Sequence, residues 1–465
     1  MCLVGGAPPA AAEPAPAAPA ASVACTASAS WFTNPSFPGE VPGGTKASLC
    51  SFEQFAWQAF IDLVQPVGSQ PGARTFETFM PDYGVFVPSN VKVTPWGEQP
   101  DVPCTLAAAD AKDSKRIFLR PRVAKGPGPG FDPNSDLQAS GQALYDQDRE
   151  VVYYSIWINQ TEYDFITKCD FNDTSCVTSA PKTSAITTGA VEIKGAWRVF
   201  NGPAPNDMYS IRGVVSPIGK DHKPSKMCKP VTLGLVGFHV VVNTPLHPEF
   251  IWATFEHKRN APDCTNPQKA PPGGWSFNNP ACPKDAKDCK PNKSNKPPTP
   301  TQVCRVAPQG SGAGEHGAQN SATIEAINQS AHETLAQLLK ASPAKYAAMA
   351  IWQNYDLTGN IWTHNGQLPP NRNNEAGSLL AANTTMETYV QGPPTAGMNC
   401  FDCHKQKQFV LKSDGKNVPK GFPDGAPANF SHLWGFAQRT GGCGDGKGPL
   451  PAACPLNAPT GSTAH

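Results

Sequence analysis

The chain has 465 residues, 39% of them hydrophobic, enough to bury one large core or two smaller ones. A formal net charge of +1 argues against bulk electrostatic capture of nucleic acid, and 16% charged residues beside 50 prolines and 41 glycines argue against a helical bundle. No apolar run is long enough to cross a membrane as a helix.

In chain order, residues 1–24 are an Ala/Pro-rich tether. Cys2 ahead of it resembles the start of a mature bacterial lipoprotein, which implies a possible N-terminal lipid anchor; the alternative is an ordinary export signal lost upstream of Met1. Residues 25–257 read as an α+β body. Ser51 opens a helix over 51–61, with Phe52, Phe55, Ala56, Ala59 and Phe60 on one face. Strands are expected at 151–158, 191–200, 231–242 and 249–255, with helices interspersed at 136–146 and 162–168. Alternation in 191–200 sets Glu192, Lys194 and Arg198 on one side, expected to be a solvated sheet face rather than a buried polar or a catalytic cluster.

Residues 258–316 are rich in Cys, Pro and Lys and cannot build a core of their own, so cysteines must staple them. Lys258, Lys269, Lys284, Lys287, Lys290, Lys293 and Lys296 make this loop basic; solvation is the default reading, and a docking surface for an acidic redox partner or anionic lipid is the sharper one. Residues 317–465 read as helical over 321–341, 344–355 and 378–391, then as a Gly/Pro-rich tail. Too little chain follows position 404 for a free-standing domain there, so the two regions are expected to form one unit.

Cys400-Phe401-Asp402-Cys403-His404 is C-x-x-C-H, the attachment pattern of a covalent haem c. Two thiols three positions apart each add to one porphyrin vinyl group, and the histidine then faces the iron as proximal ligand. A zinc site would want a second C-x-x-C or an H-x-x-x-H pair, and neither occurs. Phosphate-loop, H-E-x-x-H, G-x-S-x-G and EF-hand patterns are also missing from the sequence.

Of 15 cysteines, two belong to this motif and Cys2 stands apart, leaving an even twelve for a disulfide framework. Short loops close most cheaply, which favours Cys169–Cys176, Cys282–Cys289 and Cys443–Cys454, then Cys25–Cys50 and Cys264–Cys304. Disulfides and covalent haem both point to the periplasm or cell surface of a bacterium.

Several segments together resemble a family: residues 52–61, 191–199, 234–241 and 251–257 with Asn260-Ala261-Pro262, then 351–355 and 382–389 ahead of the C-x-x-C-H. The chain is similar over about residues 50–405 to bacterial exported single-haem c-type cytochrome proteins with a large body before the motif. The resemblance implies a haem protein and carries no substrate. It departs from small cytochromes c in motif position and in lacking a downstream methionine.

The sixth iron ligand separates electron carrier from enzyme. No Met follows Met398, which lies too close to Cys400 to cross the ring, and Met349 and Met386 read as core. His257, at a strand end, is the expected distal ligand, with His432 as the alternative; His239 lies inside a strand. The leading expectation is a single-electron carrier with a redox partner protein. A peroxidase- or oxidase-like haem enzyme with an open iron is the rival, and a surface sensor with structural haem the third.

Overall fold

The computed structural model describes residues 24–68, 72–121, 143–217, 225–283, 285–296, 298–312, 317–391, 399–404, 427–431 and 433–455. The helices are α1 (Ser30–Thr33), α2 (Leu49–Leu63), α3 (Asp82–Val85), α4 (Gln160–Lys168), α5 (Thr174–Ser179), α6 (Gly317–Ala341), α7 (Pro343–Tyr346) and α8 (Cys400–His404). The strands are β1 (Met80–Pro81), β2 (Thr105–Leu106), β3 (Ile117–Pro121), β4 (Tyr153–Ile158), β5 (Val191–Phe200), β6 (Ser210–Val215), β7 (Met227–Val242), β8 (Ile251–His257), β9 (Tyr355–Thr363) and β10 (Glu375–Gly377). All belong to one mainly antiparallel sheet, so the fold is α+β as expected. Among the described strands, parallel pairing is confined to β3 with β6 and β2 with β7.

The long β7 organises the sheet. It pairs with β5 along one edge, and with β6 and then β8 along the other. Since β6 pairs β3, β3 pairs β4 and β4 pairs β5, the circuit β7–β6–β3–β4–β5 closes on itself. The strands β8, β9 and β10 extend it as an open wing.

One face of the wing is covered by α2 and α6. Ser48 caps α2 through a reciprocal pair with Ser51, three residues before the expected start. Its apolar face then lays Phe60 flat on Phe255, with ring centroids 4.1 Å apart. Trp57 donates from Nε1 to Asn328 of α6 at 2.9 Å, and Asn328 donates in turn to the Leu357 carbonyl. These contacts satisfy the polar groups that burial would otherwise strand.

Two bulges set which residues reach the other face. In β7, Leu235 pairs Trp197 and Gly237 pairs Ala196, so Val236 is the extra residue. Up to that point the odd-numbered residues Val231, Leu233 and Leu235 enter the core under α2; beyond it the even-numbered Phe238, Val240 and Val242 do. His239 is therefore turned to the opposite face, where its cross-strand neighbours are Lys194 and Thr254. A second bulge, at Thr358 in β9, keeps that strand in step. Asn260 Nδ2 donates to the Val236 carbonyl at 2.7 Å, which satisfies the bulged backbone.

Four local expectations need correction. Residues 378–391 are turns, not a helix. There Asn383 accepts from Thr385 N–H and hydroxyl, and Thr388 donates to the Thr384 carbonyl, so side chains take the place of a helical ladder. Residues 344–355 are a short helix and 3₁₀ turns leading into β9, a strand absent from the sequence reading because its bulge breaks the alternation. The helix expected over 136–146 lies mostly outside the described residues, and its end at Tyr145 bridges Val151 in extended form. The face bearing Glu192, Lys194 and Arg198 is covered, not solvated: Arg198 is 7% exposed, paired with Asp146 at 2.8 Å and Asp148 at 2.7 Å.

All twelve body cysteines are paired. Cys25–Cys50, Cys264–Cys304 and Cys282–Cys289 are as expected, and Cys104–Cys228 joins them. The expected Cys169–Cys176 and Cys443–Cys454 are instead exchanged as Cys169–Cys454 and Cys176–Cys443. The reason is tertiary. The tail docks on α5, with Thr174 N–H donating to the Arg439 carbonyl and Cys443 N–H to Ser175 Oγ, so the distant partners come closer than the local ones.

Candidate haem-attachment site

The motif occupies α8. Asn399 caps it: its Oδ1 accepts from Asp402 N–H at 3.0 Å, while the Asp402 carboxylate accepts from Asn399 N–H at 3.1 Å. Asn399 Nδ2 also donates to Glu375 of β10 at 2.8 Å, and Arg372 pairs with both Asp402 and Glu375. One helical turn is thereby moored to the edge of the sheet. Phe401 is fully buried and meets Trp252 and Phe430 edge-on, whereas Cys400 is half-buried. Helical spacing sets Cys400, Cys403 and His404 along one side of the turn; of Cys403 only the backbone belongs to the described structure.

His404 donates from Nδ1 to the Phe430 carbonyl at 2.7 Å, and its ring lies 4.2 Å from that of Trp252. Burial drives its pKa down to about 3, and the neighbouring Lys194 and His239 push the same way against the Phe430 carbonyl. The imidazole is thus held neutral with its proton on Nδ1. That arrangement suits an iron ligand, because a ligating histidine commonly gives its other N–H to a carbonyl that fixes tautomer and orientation.

Beside His404 runs a polar row that the sequence reading did not assemble. Trp252 and Thr254 share a strand face roughly 7 Å apart. Thr254 Oγ1 lies 2.8 Å from His239 Nδ1, and His239 Nε2 lies 3.0 Å from Glu387 Oε1. Burial raises the Glu387 carboxyl, but His239 and Lys194 outweigh it and its pKa falls below the ordinary range. On α4, burial raises Glu162 well above the usual carboxylate range, with the charge of Glu192 on β5 adding to the rise, and burial raises Glu192 as well.

His257, expected as the distal ligand, is not brought to His404. It lies five residues along β8 from Trp252, roughly 16 Å, and by strand parity on the opposite face. Both ring nitrogens are engaged, Nε2 with the Asp207 carbonyl at 2.8 Å and Nδ1 with Arg259 N–H at 3.1 Å. His432 and Met398 lie outside the described residues, as does Cys2. Met349 and Met386 are core residues. Of what was missed, the cap was legible as Asn399-x-x-Asp402; the partnership with Phe430, far along the chain, was not. No helix among the described residues is long and apolar enough to cross a membrane. Comparison with known proteins finds no family model, no curated protein and no solved structure that matches this chain.

Proposed function

We propose that Cys400 and Cys403 carry one covalent haem c with His404 as proximal ligand, and that the protein passes single electrons in the periplasm or at the cell surface. The hydrogen bond from His404 Nδ1 to Phe430 supports this most, because it leaves Nε2 as the basic nitrogen. The residues present fit the group: an imidazole held neutral, and apolar rings of Phe401, Trp252 and Phe430 that keep water from it. Bound haem supplies reversible one-electron chemistry at iron. Six disulfides suit an oxidising compartment, and the exposed Lys269, Lys287, Lys293 and Lys296 offer a basic surface to an acidic redox partner. The same reading groups the chain with the exported single-haem proteins its segments resemble.

Expression with haem-maturation machinery should yield a c-type pyridine haemochrome that resists acid–acetone extraction. Haem that extracts freely, or that persists when both motif cysteines become serine, sinks the proposal. The row Lys194–His239–Glu387 favours one second reading, a haem enzyme with an open iron, since acid–base groups sit beside the motif. A low-spin ferric spectrum supports the carrier, with His432 as the remaining histidine candidate for the sixth position. A high-spin spectrum with ready peroxide binding supports the enzyme.

A further inference from the structure

A cavity of about 320 Å³ opens on the sheet face opposite His404, at the shared amino-terminal end of α2 and α6. The two helices run side by side in the same direction: Asn320, Ser378, Asn360 and Phe52 are linked at one end, Trp57 and Asn328 farther along. Ser48, the N-cap of α2, Leu49 at its first position and Gln319 of α6 line the cavity, so two positive helix ends converge there. Ser48 Oγ satisfies Ser51 N–H and leaves the N–H groups of Leu49 and Cys50 without an intrahelical acceptor. No acidic side chain occurs among the described lining residues.

A buried histidine points to the same ligand independently. His247 lines the cavity yet is 3% exposed. Its Nδ1 donates to Glu249 Oε1 at 2.9 Å, an oxygen that also accepts from Thr363 N–H and Oγ1. That network fixes the ring. Nε2, on the edge away from Glu249, has no partner among the described residues and is the nitrogen left to meet an occupant. Phe52 and Trp362, stacked at 3.9 Å, form an apolar wall beside it.

We propose that this cavity binds a small monocarboxylate with a flat apolar body. Its carboxylate meets His247 Nε2 and the first turns of α2 and α6, and its body lies on the Phe52–Trp362 wall. Nε2 accepts a hydrogen bond from the neutral acid or, protonated, donates one to the carboxylate; either way one proton is shared across the contact. The volume lies at the lower end of the range of small-molecule sites. The site is separate from the haem motif and stands whether or not haem is attached.

The test is calorimetric titration of the full chain with benzoate, benzamide and inorganic phosphate. Benzoate should bind at millimolar concentration or below, and both others at least about tenfold more weakly. Gln319→Glu sets a negative charge at the mouth while favouring the start of α6, so it should weaken benzoate by about tenfold or more without lowering the melting temperature. Thr45→Glu, on an exposed turn, should do the same. Absence of benzoate binding, equal binding of benzamide or phosphate, or undiminished binding by both variants overturns the proposal.

Discussion

At the scale of single residues, the start of α8 depends on Asn399. Its side chain caps the helix and ties it to Glu375, so Asn399→Ala removes a cap and one hydrogen bond to a buried carboxylate. The expected cost is about 1–2 kcal/mol, read as a lower urea midpoint and, on the proposed function, as less covalent haem per chain. Arg305 makes a larger case. It is 7% exposed and forks onto Glu256, whose carboxylate also receives Thr384 and Asn260. Arg305→Met leaves that carboxylate buried without its cation and should cost about 3–5 kcal/mol by chemical denaturation. Glu162 titrates in the other direction. Its raised pKa means that the folded chain holds the proton more tightly than the unfolded chain. This contribution is present in acid and is lost as pH rises above the ordinary carboxyl range. Wild-type melting temperature should therefore fall as pH rises above the ordinary carboxyl range, and Glu162→Gln should flatten that fall. An equally steep decline in the variant would assign the pH dependence to other groups.

At the scale of elements, the bulge at Val236 does more than relieve twist. It reverses the parity of β7, which sends His239 to the face shared with Lys194, Thr254 and the motif helix. Gly237 follows it, and a Cβ there would stand 2.3 Å from Thr385 Oγ1 and 3.0 Å from Asn383 Oδ1. Gly237→Ala should push the turn segment off the strand and cost about 1–3 kcal/mol, measured by urea unfolding. The bulges also explain which parts of the fold were legible. β5 alternates without interruption and its bounds match the expected 191–200; α6 begins four residues before the expected 321 and ends with it. β9 and the polar turns after β10 were misread because register shifts and side-chain bonds to backbone leave no simple period. The C-x-x-C-H pattern itself was legible because its residues are adjacent in the chain. Its setting was not, because Phe430, Trp252 and Glu375 reach it only through tertiary packing.

At the scale of the whole molecule, the two exchanged disulfides bind the tail to α4 and α5 across separations of 285 and 267 residues. That tail supplies Phe430, whose carbonyl holds His404, along with the fully buried Trp434, which packs on Phe165 and Phe171. The oxidation state of two distant cross-links therefore bears on the geometry of the motif histidine. Replacing Cys169, Cys176, Cys443 and Cys454 by serine should leave β7 and β8 protected, because the core beneath α2 and α6 does not draw on the tail. Amides of residues 427–437 and of α8 should lose protection together, since local opening follows cooperative units rather than single bonds. Hydrogen exchange followed by mass spectrometry reads both regions in one experiment. Loss confined to the tail, with α8 unchanged, would show that Asn399 and Phe401 hold the motif helix without it. Loss of both would show that the order of the motif helix depends on correct pairing of these four cysteines, as the His404–Phe430 hydrogen bond requires.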